Sequence, residues 1–428
     1  MWKDVKNKWE IFSWCMFDFA NSSFTTIIIT VVYSVYFVKI ISQADAHADR
    51  LWGIANFISQ FIVLMSAPLL GAIADFSGKK KRFLFLTYIT CVIFTATLTF
   101  VKQGEVVLGM IFFIIANIAY SSGENFIASF LPEIARPEDM GKVSGFGWSL
   151  GYVGGLASLF LCLPFLKGGF VPANAANLRM TNLVVAIFFL LAGIPTFLWV
   201  RERKQGNQLP AGKTYVQIGF GRLSETFSQL RRFRELFKFL ILFSIYNCGV
   251  NAVVVFASIY AVQTIGLTPG ELIWFFLITQ VSSSIGAFLF GLIQDKVGAK
   301  KTIYITLSLW IVVCIGAYLS TGRNAFFIVG NLAGLGIGSS QSAARALVGL
   351  FSPVEKTAEF FGFWGLFWKL SSAIGPLVFG LFSSGSGSQR TAVLVTGSFF
   401  VIGMIGLFMV DERKGIEAAR AYSGINRE

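Results

Sequence analysis

Two loops of this chain repeat one pattern about half a chain length apart. The first reads Gly71-Ala-Ile-Ala-Asp75-Phe-Ser-Gly78-Lys-Lys-Lys-Arg82, and the second reads Gly291-Leu-Ile-Gln-Asp295-Lys-Val-Gly298-Ala-Lys-Lys301. Each copy follows one long apolar run and precedes another. In a chain that crosses a membrane, an internal repeat of this length is typical of a transporter assembled from two similar halves.

The composition places the chain in a membrane. Hydrophobic residues make up 55% of the chain, charged residues 13%, and the mean hydropathy is +0.69, a balance that soluble domains do not have. Apolar runs long enough to cross ~30 Å of hydrocarbon recur along the whole sequence. We count twelve such runs, at 12–41, 51–74, 83–101, 105–128, 143–165, 180–200, 237–264, 271–293, 302–320, 324–348, 359–383 and 390–410. We therefore expect an all-α membrane protein with twelve transmembrane helices in two six-helix halves.

The positive charge of the chain reports its topology. The formal net charge is +13, which by itself suggests a nucleic-acid partner. With both termini in the cytoplasm, however, and with basic residues at the ends of spans counted with the adjoining segment, 26 of the 35 Lys and Arg residues fall in cytoplasmic segments, 7 in outer segments and 2 deep within spans. This is the positive-inside bias of membrane proteins, so we expect cytoplasmic termini, contact with anionic lipid and no nucleic-acid partner.

Three regions follow from the apolar runs: a first half at 1–200, a cytoplasmic linker at 201–236, and a second half with a short cytoplasmic tail at 237–428. The linker turns amphipathic in its second part, where apolar residues recur at helical spacing. A strut between the halves and a simple tether with some lipid affinity both remain open as its role. The apolar residues of this predicted helix are Leu223, Phe227, Leu230, Phe233 and Phe237.

The repeated G-x3-D-x2-G-basic loop resembles the signature loop of the major facilitator superfamily. The opening Ser13-Trp14-Cys-Met-Phe17-Asp18-Phe19-Ala20-Asn21-Ser22-Ser23-Phe24 is similar to the first-span signature of a narrower branch, the vacuole-effluxer-like family. The fungal members of that branch are autophagy-related amino-acid effluxers. The resemblance covers the whole chain and implies the major facilitator fold, a central cavity lined by spans one, four, seven and ten, and, for a bacterial member, the inner (plasma) membrane.

The repeated loops also have a physical interpretation of their own. Glycine near the membrane face permits close packing of helices, and the aspartates can accept hydrogen bonds from a helix N-terminus across the interface of the halves. A contact that forms in one state and breaks in another is a gate, whereas a permanent contact is only a topological anchor; both remain open. The residues of this predicted contact are Gly71, Asp75, Gly78, Lys79 and Arg82 in the first loop and Gly291, Asp295, Gly298 and Lys301 in the second.

Four ionisable residues lie inside apolar spans: Asp18, Glu124, Arg345 and Lys369. Each would cost several kcal/mol facing lipid, so we expect each to face a cavity or a partner. The two acids belong to the first half and the two bases to the second, an arrangement that suits a solute with an amine and a carboxylate. Asp18, Glu124 and Arg345 lie close to the cytoplasmic ends of their spans, so a salt-bridge gate is an equal alternative for them. Lys369 lies near mid-span and is the best binding candidate.

Polar and aromatic residues accompany these charges at helical spacing. The tryptophans of span eleven lie one turn apart, where they either cover a solute or simply pack. The candidates for substrate or proton contact are Asp18, Asn21, Ser22 and Thr25 in span one; Asn117, Tyr120, Ser121 and Glu124 in span four; Asn247 and Asn251 in span seven; Arg345 in span ten; and Trp364, Trp368 and Lys369 in span eleven.

These features predict a secondary active transporter that moves a small polar solute by alternating access. An amino acid or another zwitterion is the leading substrate class, and H⁺ is the coupling ion considered, carried by Asp18 or Glu124. A lipid or drug exporter and a non-transporting sensor or scaffold are the alternatives. We expect no enzymatic activity, no cofactor and no metal, because the sequence shows no P-loop and no clustered metal ligands, and we expect a monomer.

Overall fold

The computed structural model describes residues 7–43, 48–203, 206–210, 212–228, 231–386 and 388–424. Helices make up nearly all of this part of the chain. The twelve long helices, called spans one to twelve below, are Lys8–Ile41, Ala48–Ser77, Lys80–Thr97, Val106–Ala128, Met140–Leu166, Ala175–Trp199, Arg234–Gln263, Pro269–Val297, Ala299–Leu319, Arg323–Phe351, Thr357–Ser386 and Gln389–Gly406.

Eleven of these helices, among the described residues, are long and apolar enough to cross a membrane on length and composition alone. Span ten, Arg323–Phe351, falls short of that hydropathy although it has 29 residues. Its second half, Gly338-Ser-Ser-Gln-Ser-Ala-Ala-Arg345, is polar but buried inside the protein, where it does not meet lipid. The prediction of twelve spanning helices in two halves is confirmed, and the protein is an integral membrane protein.

Each half is built around its own hydrophobic core. The core of the first half includes Trp14 and Phe113 and is made almost wholly of residues from spans one to six. The core of the second half includes Trp310 and Phe400, whose rings stack at 5.1 Å, and comes almost wholly from spans seven to twelve. Each half thus has a hydrophobic core of its own.

Span one is not a uniform α-helix. Regular α-helix covers Lys8–Ser23, wider π-helical turns follow at Phe24–Val31, and a second such stretch lies at Phe37–Ile41. The first irregular stretch reads Phe-Thr-Thr-Ile-Ile-Ile-Thr-Val, and its run of β-branched residues restricts the side chains against the preceding turn. The change of helix type begins at Phe24, two residues after Ser22, one of the candidate site residues.

The linker contains a helix, Tyr215–Ser228, that packs on span two, where Gly219 lies against Leu69 and Ile73. This helix starts earlier and ends sooner than expected. The predicted apolar face at 223–237 is wrong as one helix, because Phe233 and Phe237 belong to the start of span seven and pack on Phe360. Leu230 and the side chain of Phe227 lie outside the described residues.

Both ends of the described chain, the linker helix and the two repeated loops lie on one side of the bundle, called the termini side below. Glu10 at the start of span one binds Arg203 after span six at 2.7 Å. The C-terminal helix, Glu412–Tyr422, follows span twelve, and Ser423 at its end donates to Glu355 at 2.6 Å. These contacts tie the ends of spans to one another within each half.

Candidate functional site

A cavity lies between the two halves, with an enclosed space of about 40 Å³ that is large enough for a few water molecules. Spans one, four, five, ten and eleven supply its walls. The lining residues are Asp18, Asn21, Ser22, Ser121, Glu124, Asn125, Ile127, Ala128, Trp148, Gly151, Arg345, Trp364, Gly365, Trp368 and Lys369. All four ionisable residues predicted from the sequence therefore meet in one cavity.

Asp18 and Arg345 form an ion pair at the wall of this cavity. Arg345 Nη1 donates to Asp18 Oδ2 at 2.7 Å, while Nη2 and Nε donate to the carbonyl and hydroxyl oxygens of Ser144 at 2.8 and 3.1 Å. Ser144 in turn donates to the carbonyl of Ser342 at 2.8 Å. One guanidinium thus joins spans one and five of the first half to span ten of the second.

Aromatic rings cover both the pair and the cavity. The Arg345 guanidinium lies 4.7 Å from the ring centre of Trp14 and 5.3 Å from that of Trp148, distances at which cation–π attraction operates. Trp148 is parallel to Trp368 with ring centres 6.1 Å apart, and Trp364 meets Trp368 edge-on at 5.2 Å. The two predicted tryptophans thus belong to a cluster that reaches both halves.

Glu124 accepts hydrogen bonds from neutral groups only, among the described residues. Tyr120 donates to Glu124 Oε1 at 2.8 Å, and Asn21 Nδ2 lies 3.4 Å from the same oxygen. Thr25 donates to the Tyr120 hydroxyl at 2.7 Å, which extends the chain of hydrogen bonds along span one. The structure therefore brings four predicted residues into one network within the first half.

Lys369 projects from span eleven toward span four. Its Nζ donates to Ser121 Oγ at 3.2 Å. Glu124 is close enough for its charge to interact with that of Lys369. Within the described part of the chain, however, no carboxylate oxygen lies within 4.0 Å of Lys369 Nζ, the limit for an ion pair. Among the described residues, Lys369 is thus a cation whose hydrogen-bond partner is a neutral hydroxyl.

Five predicted residues do not line the cavity. Thr25 and Tyr120 are linked to it by the hydrogen bond that Tyr120 donates to Glu124, and the other three lie elsewhere. In span seven, Asn247 donates to Ser371 at 2.7 Å and accepts from Gln341 at 3.2 Å, and Asn251 lies 3.4 Å from the same serine. Asn117 is fully buried and donates to Ser59 of span two at 2.7 Å. Among the described residues this cavity has no lining residue from span seven, whereas spans five and eleven contribute to it. That span seven lines a central cavity stays a prediction.

The first repeated loop contacts the opposite half. Asp75 Oδ2 accepts the backbone N–H of Glu359 at 2.9 Å, in the first turn of span eleven, where the helix dipole favours an anion. Lys80, fully buried, lies 3.7 Å from Asp75, binds Glu133, and donates to Thr357 at 2.7 Å. Acids and bases of both halves therefore form one buried cluster at the termini side.

The second loop makes the equivalent contact in the opposite direction. Asp295 accepts the backbone N–H groups of Gly141 at 2.9 Å and Lys142 at 3.0 Å, in the first turn of span five. Close packing supports both contacts: a side chain on Gly71 would overlap the Ala358 carbonyl, and one on Gly291 would lie 2.7 Å from the Gly141 carbonyl oxygen. Both aspartates thus occupy the geometry expected of them, while their role as gates stays a prediction.

The remaining loop residues fall into two groups. Gly78 and Gly298 adopt positive φ angles of 60° and 97°, a conformation that glycine permits, so they allow the sharp turn between two spans. Lys79, Arg82 and Lys301 are exposed. The buried basic residue of the first loop is instead Lys80, because span three begins there and turns this side chain inward.

A further repeat, which was not predicted from the sequence, holds the termini-side ends of neighbouring spans together. Glu202 after span six accepts the backbone N–H of Lys81 at 3.1 Å, and Glu412 after span twelve accepts that of Lys300 at 3.1 Å. Both acids stand in a Val-x-Glu-Arg-Lys sequence, which is the signal that finds them. Burial raises the pKa of the Glu202 carboxyl, and the backbone hydrogen bond from Lys81 acts in the opposite direction.

Comparison with known families agrees with this architecture. The model of the family described as "Vacuole effluxer Atg22 like" matches residues 52–420. The chain belongs to this Atg22-like family. It is a transporter of the major facilitator superfamily, as the resemblance of its loops and first span predicted.

Relatives of this Atg22-like protein occur in bacteria and fungi. YxiO of Bacillus subtilis (strain 168), named an uncharacterized MFS-type transporter, is 26% identical over 420 residues, which cover 96% of this chain and 97% of YxiO. Autophagy-related protein 22 of Yarrowia lipolytica is 24% identical over 340 residues, which cover 71% of this chain and 56% of the fungal protein.

Solved structures share the fold of the Atg22-like protein. The MFS transporter FucP in its outward conformation has a TM-score of 0.69 at 16% identity, covering 94% of this chain and 98% of FucP. The proton:xylose symporter XylE has a TM-score of 0.73 at 15% identity, covering 97% of this chain and 98% of XylE. At such identities the likeness shows the fold alone.

Proposed function

We propose that this protein transports a small zwitterion, an amino acid in the first instance, by alternating access between two states of its halves. One observation carries the proposal. Glu124 of the first half and Lys369 of the second half face the same cavity with opposite charges, and they are not paired with each other. A solute with an ammonium and a carboxylate group neutralises both at once.

Proton coupling through Glu124 is the second part of the proposal. Asp18, the other acid considered, is engaged by the Arg345 guanidinium at 2.7 Å and thus belongs to the contact between halves. Among the described residues Glu124 accepts only from Tyr120 and Asn21, so a proton can neutralise it without breaking an ion pair. Neutral Glu124 and charged Glu124 then attract the ammonium of a solute to different extents.

We further propose that the termini side faces the cytoplasm, in the inner membrane of a bacterium. The distribution of basic residues supports this orientation. In this orientation the Asp75, Asp295 and Arg345 contacts close the cavity toward the cytoplasm. A single chain contains both halves and all the charged groups of the cavity, which supports a monomer as the working unit.

The test uses purified protein and proteoliposomes. Amino acids, sugars, nucleosides and short peptides are screened by the shift in melting temperature, and compounds that bind are followed as radiolabelled substrates with and without a pH gradient. We expect amino acids to stabilise the protein and to accumulate in response to the gradient. Stabilisation by sugars or nucleosides without any effect of amino acids contradicts the zwitterion. Uptake that is equal with and without the pH gradient contradicts proton coupling.

A further inference from the structure

Four side chains that line the cavity each carry a polar atom that is shielded from solvent and has no hydrogen-bond partner among the described residues. Three of these atoms are nitrogen donors: Nε1 of Trp148, Nε1 of Trp364 and Nδ2 of Asn125. The fourth is an acceptor, Oδ1 of Asn21. Buried polar groups in proteins are nearly always paired, so unpaired ones at a cavity mark positions where a ligand atom fits.

The unpaired donors line the same cavity as Lys369. Asn125 is one helical turn beyond Ser121, the hydroxyl that Lys369 contacts at 3.2 Å. Across the interface, Asn125 faces Gly365, one turn before Lys369, where a side chain on the glycine would lie 2.7 Å from Asn125 Nδ2. Trp364 directly precedes that glycine. The amide and the ammonium are therefore neighbours on one wall of the cavity.

Trp148 reaches the same wall from span five. Its ring is parallel to that of Trp368, the residue next to Lys369, with ring centres 6.1 Å apart. Asn125 and Trp148 belong to the first half, whereas Trp364 and Lys369 belong to the second. The donors thus come from both sides of the interface. The acceptors do not, because Asn21 and Glu124 both belong to the first half, where Asn21 Nδ2 lies 3.4 Å from Glu124 Oε1.

Resting on the function proposed above, we propose that the carboxylate of the zwitterion binds between the halves, in a subsite of N–H donors from Lys369, Trp364, Trp148 and Asn125. The ammonium is held by the first half alone, at Asn21 and Glu124. Hydrogen bonds to an ionised acceptor are stronger than those to a neutral one, so the donors select a carboxylate over an amide. Because the carboxylate touches both halves, its binding favours the state in which they close around the solute.

The first test compares each common L-amino acid with its α-carboxamide, using competition binding and thermal shift on the full-length protein. We expect every amino acid that binds to have a dissociation constant at least about tenfold lower than that of its carboxamide. Equal affinity of acid and amide overturns the carboxylate subsite and leaves a transporter of amines. Absence of binding by both acids and amides overturns the proposed zwitterion function itself, so the two failures are distinguishable.

The second test uses two matched variants, Asn125→Asp and Asn21→Asp. Both replace an amide by a carboxylate of the same size in the same cavity. Asn125→Asp puts a negative charge beside the bound carboxylate, so we expect at least about tenfold weaker binding of the acid. Asn21→Asp puts the charge beside the ammonium, so affinity is retained or rises. Equal losses of affinity in both variants overturn the assignment of the carboxylate to the side of Asn125 and of the ammonium to the side of Asn21.

A third variant, Trp364→Phe, removes one N–H donor and keeps an aromatic ring, so it tests the subsite even where Asn125→Asp does not fold. We expect the preference for acid over carboxamide to shrink by several-fold, with carboxamide binding unchanged. A preference equal to that of the natural protein shows that the indole N–H does not contact the carboxylate and overturns the subsite.

Discussion

Asp18 of the first half and Arg345 of the second half form an ion pair across the interface, with 2.7 Å between Oδ2 and Nη1. Arg345 lies six residues before the end of span ten, roughly 9 Å along the helix axis from the termini side. Lys369 lies twelve residues into span eleven, roughly twice as deep. The ion pair therefore belongs to the part of the cavity wall that lies nearer to the termini side than Lys369 does.

Removal of either member of this pair leaves the other charge buried without its partner. We expect Asp18→Asn and Arg345→Gln each to lower the free energy of unfolding by about 3–5 kcal/mol, and the double variant to recover part of the loss. The exposed pair of Arg323 and Glu271, 2.9 Å apart with side chains 53% and 33% exposed, is the matched control and is worth at most about 1 kcal/mol. Additive losses in the double variant contradict direct coupling of Asp18 and Arg345.

Asp75→Asn keeps the size of the side chain but removes its charge from the N-terminus of span eleven. The contact with the helix dipole weakens by ~0.3–2 kcal/mol, which shifts a balanced two-state equilibrium several-fold toward the state open to the termini side. Thiol labelling of a single cysteine at position 121, in a cysteine-free protein, measures this shift. Asp139→Asn, which alters the local pair with Lys142, is the control. Equal labelling of Asp75→Asn and the parent protein shows an anchor rather than a gate.

Almost all of the fold could be predicted from the sequence, because long apolar runs and their separation by charged loops determine how often the chain crosses the membrane. Span ten was found in this way although its polar half resembles a loop. Asp75 and Asp295 were found because an acid at a fixed distance from two glycines is rare and occurs twice. The lysine that lies beside Asp75 was not predicted. Which of the consecutive lysines turns inward depends on the residue at which span three begins.

The cavity was only partly predictable for a related reason. Ionisable residues inside spans draw attention because their burial is costly, and all four line the cavity. Ser144 and Trp148 carry no charge, and their role follows from the rotation of span five about its axis. That rotation depends on packing of glycines against span eight, where a side chain on Gly145 would overlap the Ala287 carbonyl. Such contacts between distant segments leave no periodic signal in the sequence.

The orientation in the membrane is tested by single cysteines at Asn207, in the linker, and Gln103, between spans three and four. Both positions are exposed, so differences in labelling report the side of the membrane. We expect a membrane-impermeant thiol reagent added to intact cells to label position 103 and to leave position 207 unlabelled until the cells are opened. The reverse pattern would place the termini side outside and would invert the direction of every gate described above.

Glu124→Gln removes the proposed proton site and keeps a side chain that accepts from Tyr120. We expect the variant to bind substrate more weakly, because the ammonium loses a charged partner, but to exchange substrate across proteoliposome membranes at saturating concentration, since exchange needs no net proton movement. Accumulation driven by a pH gradient should be lost. Exchange at saturating substrate thus serves as the internal control for folding. Accumulation that survives in Glu124→Gln shows that the proton, if one is coupled, binds elsewhere.

Lys369 provides the last test, because its ammonium lines the cavity and donates to a neutral hydroxyl, that of Ser121. If it binds the substrate carboxylate, Lys369→Ala should weaken binding at least about tenfold, and Lys369→Arg should restore it only in part, since the guanidinium is planar and larger. Isothermal titration of the three proteins measures the difference.

If Lys369 instead serves only to balance Glu124, the pattern changes. Lys369→Ala and Glu124→Gln would each destabilise the protein, and the double variant would be more stable than either, with substrate affinity unaltered by the lysine. Unchanged affinity and unchanged ligand-induced thermal shift in Lys369→Ala would end the assignment of this residue as a substrate contact. A loss of affinity without a lower melting temperature indicates that Lys369 binds substrate and does not stabilise the fold. Such a variant is not destabilised, because the free-energy cost of burying an unpaired ammonium is removed together with the side chain.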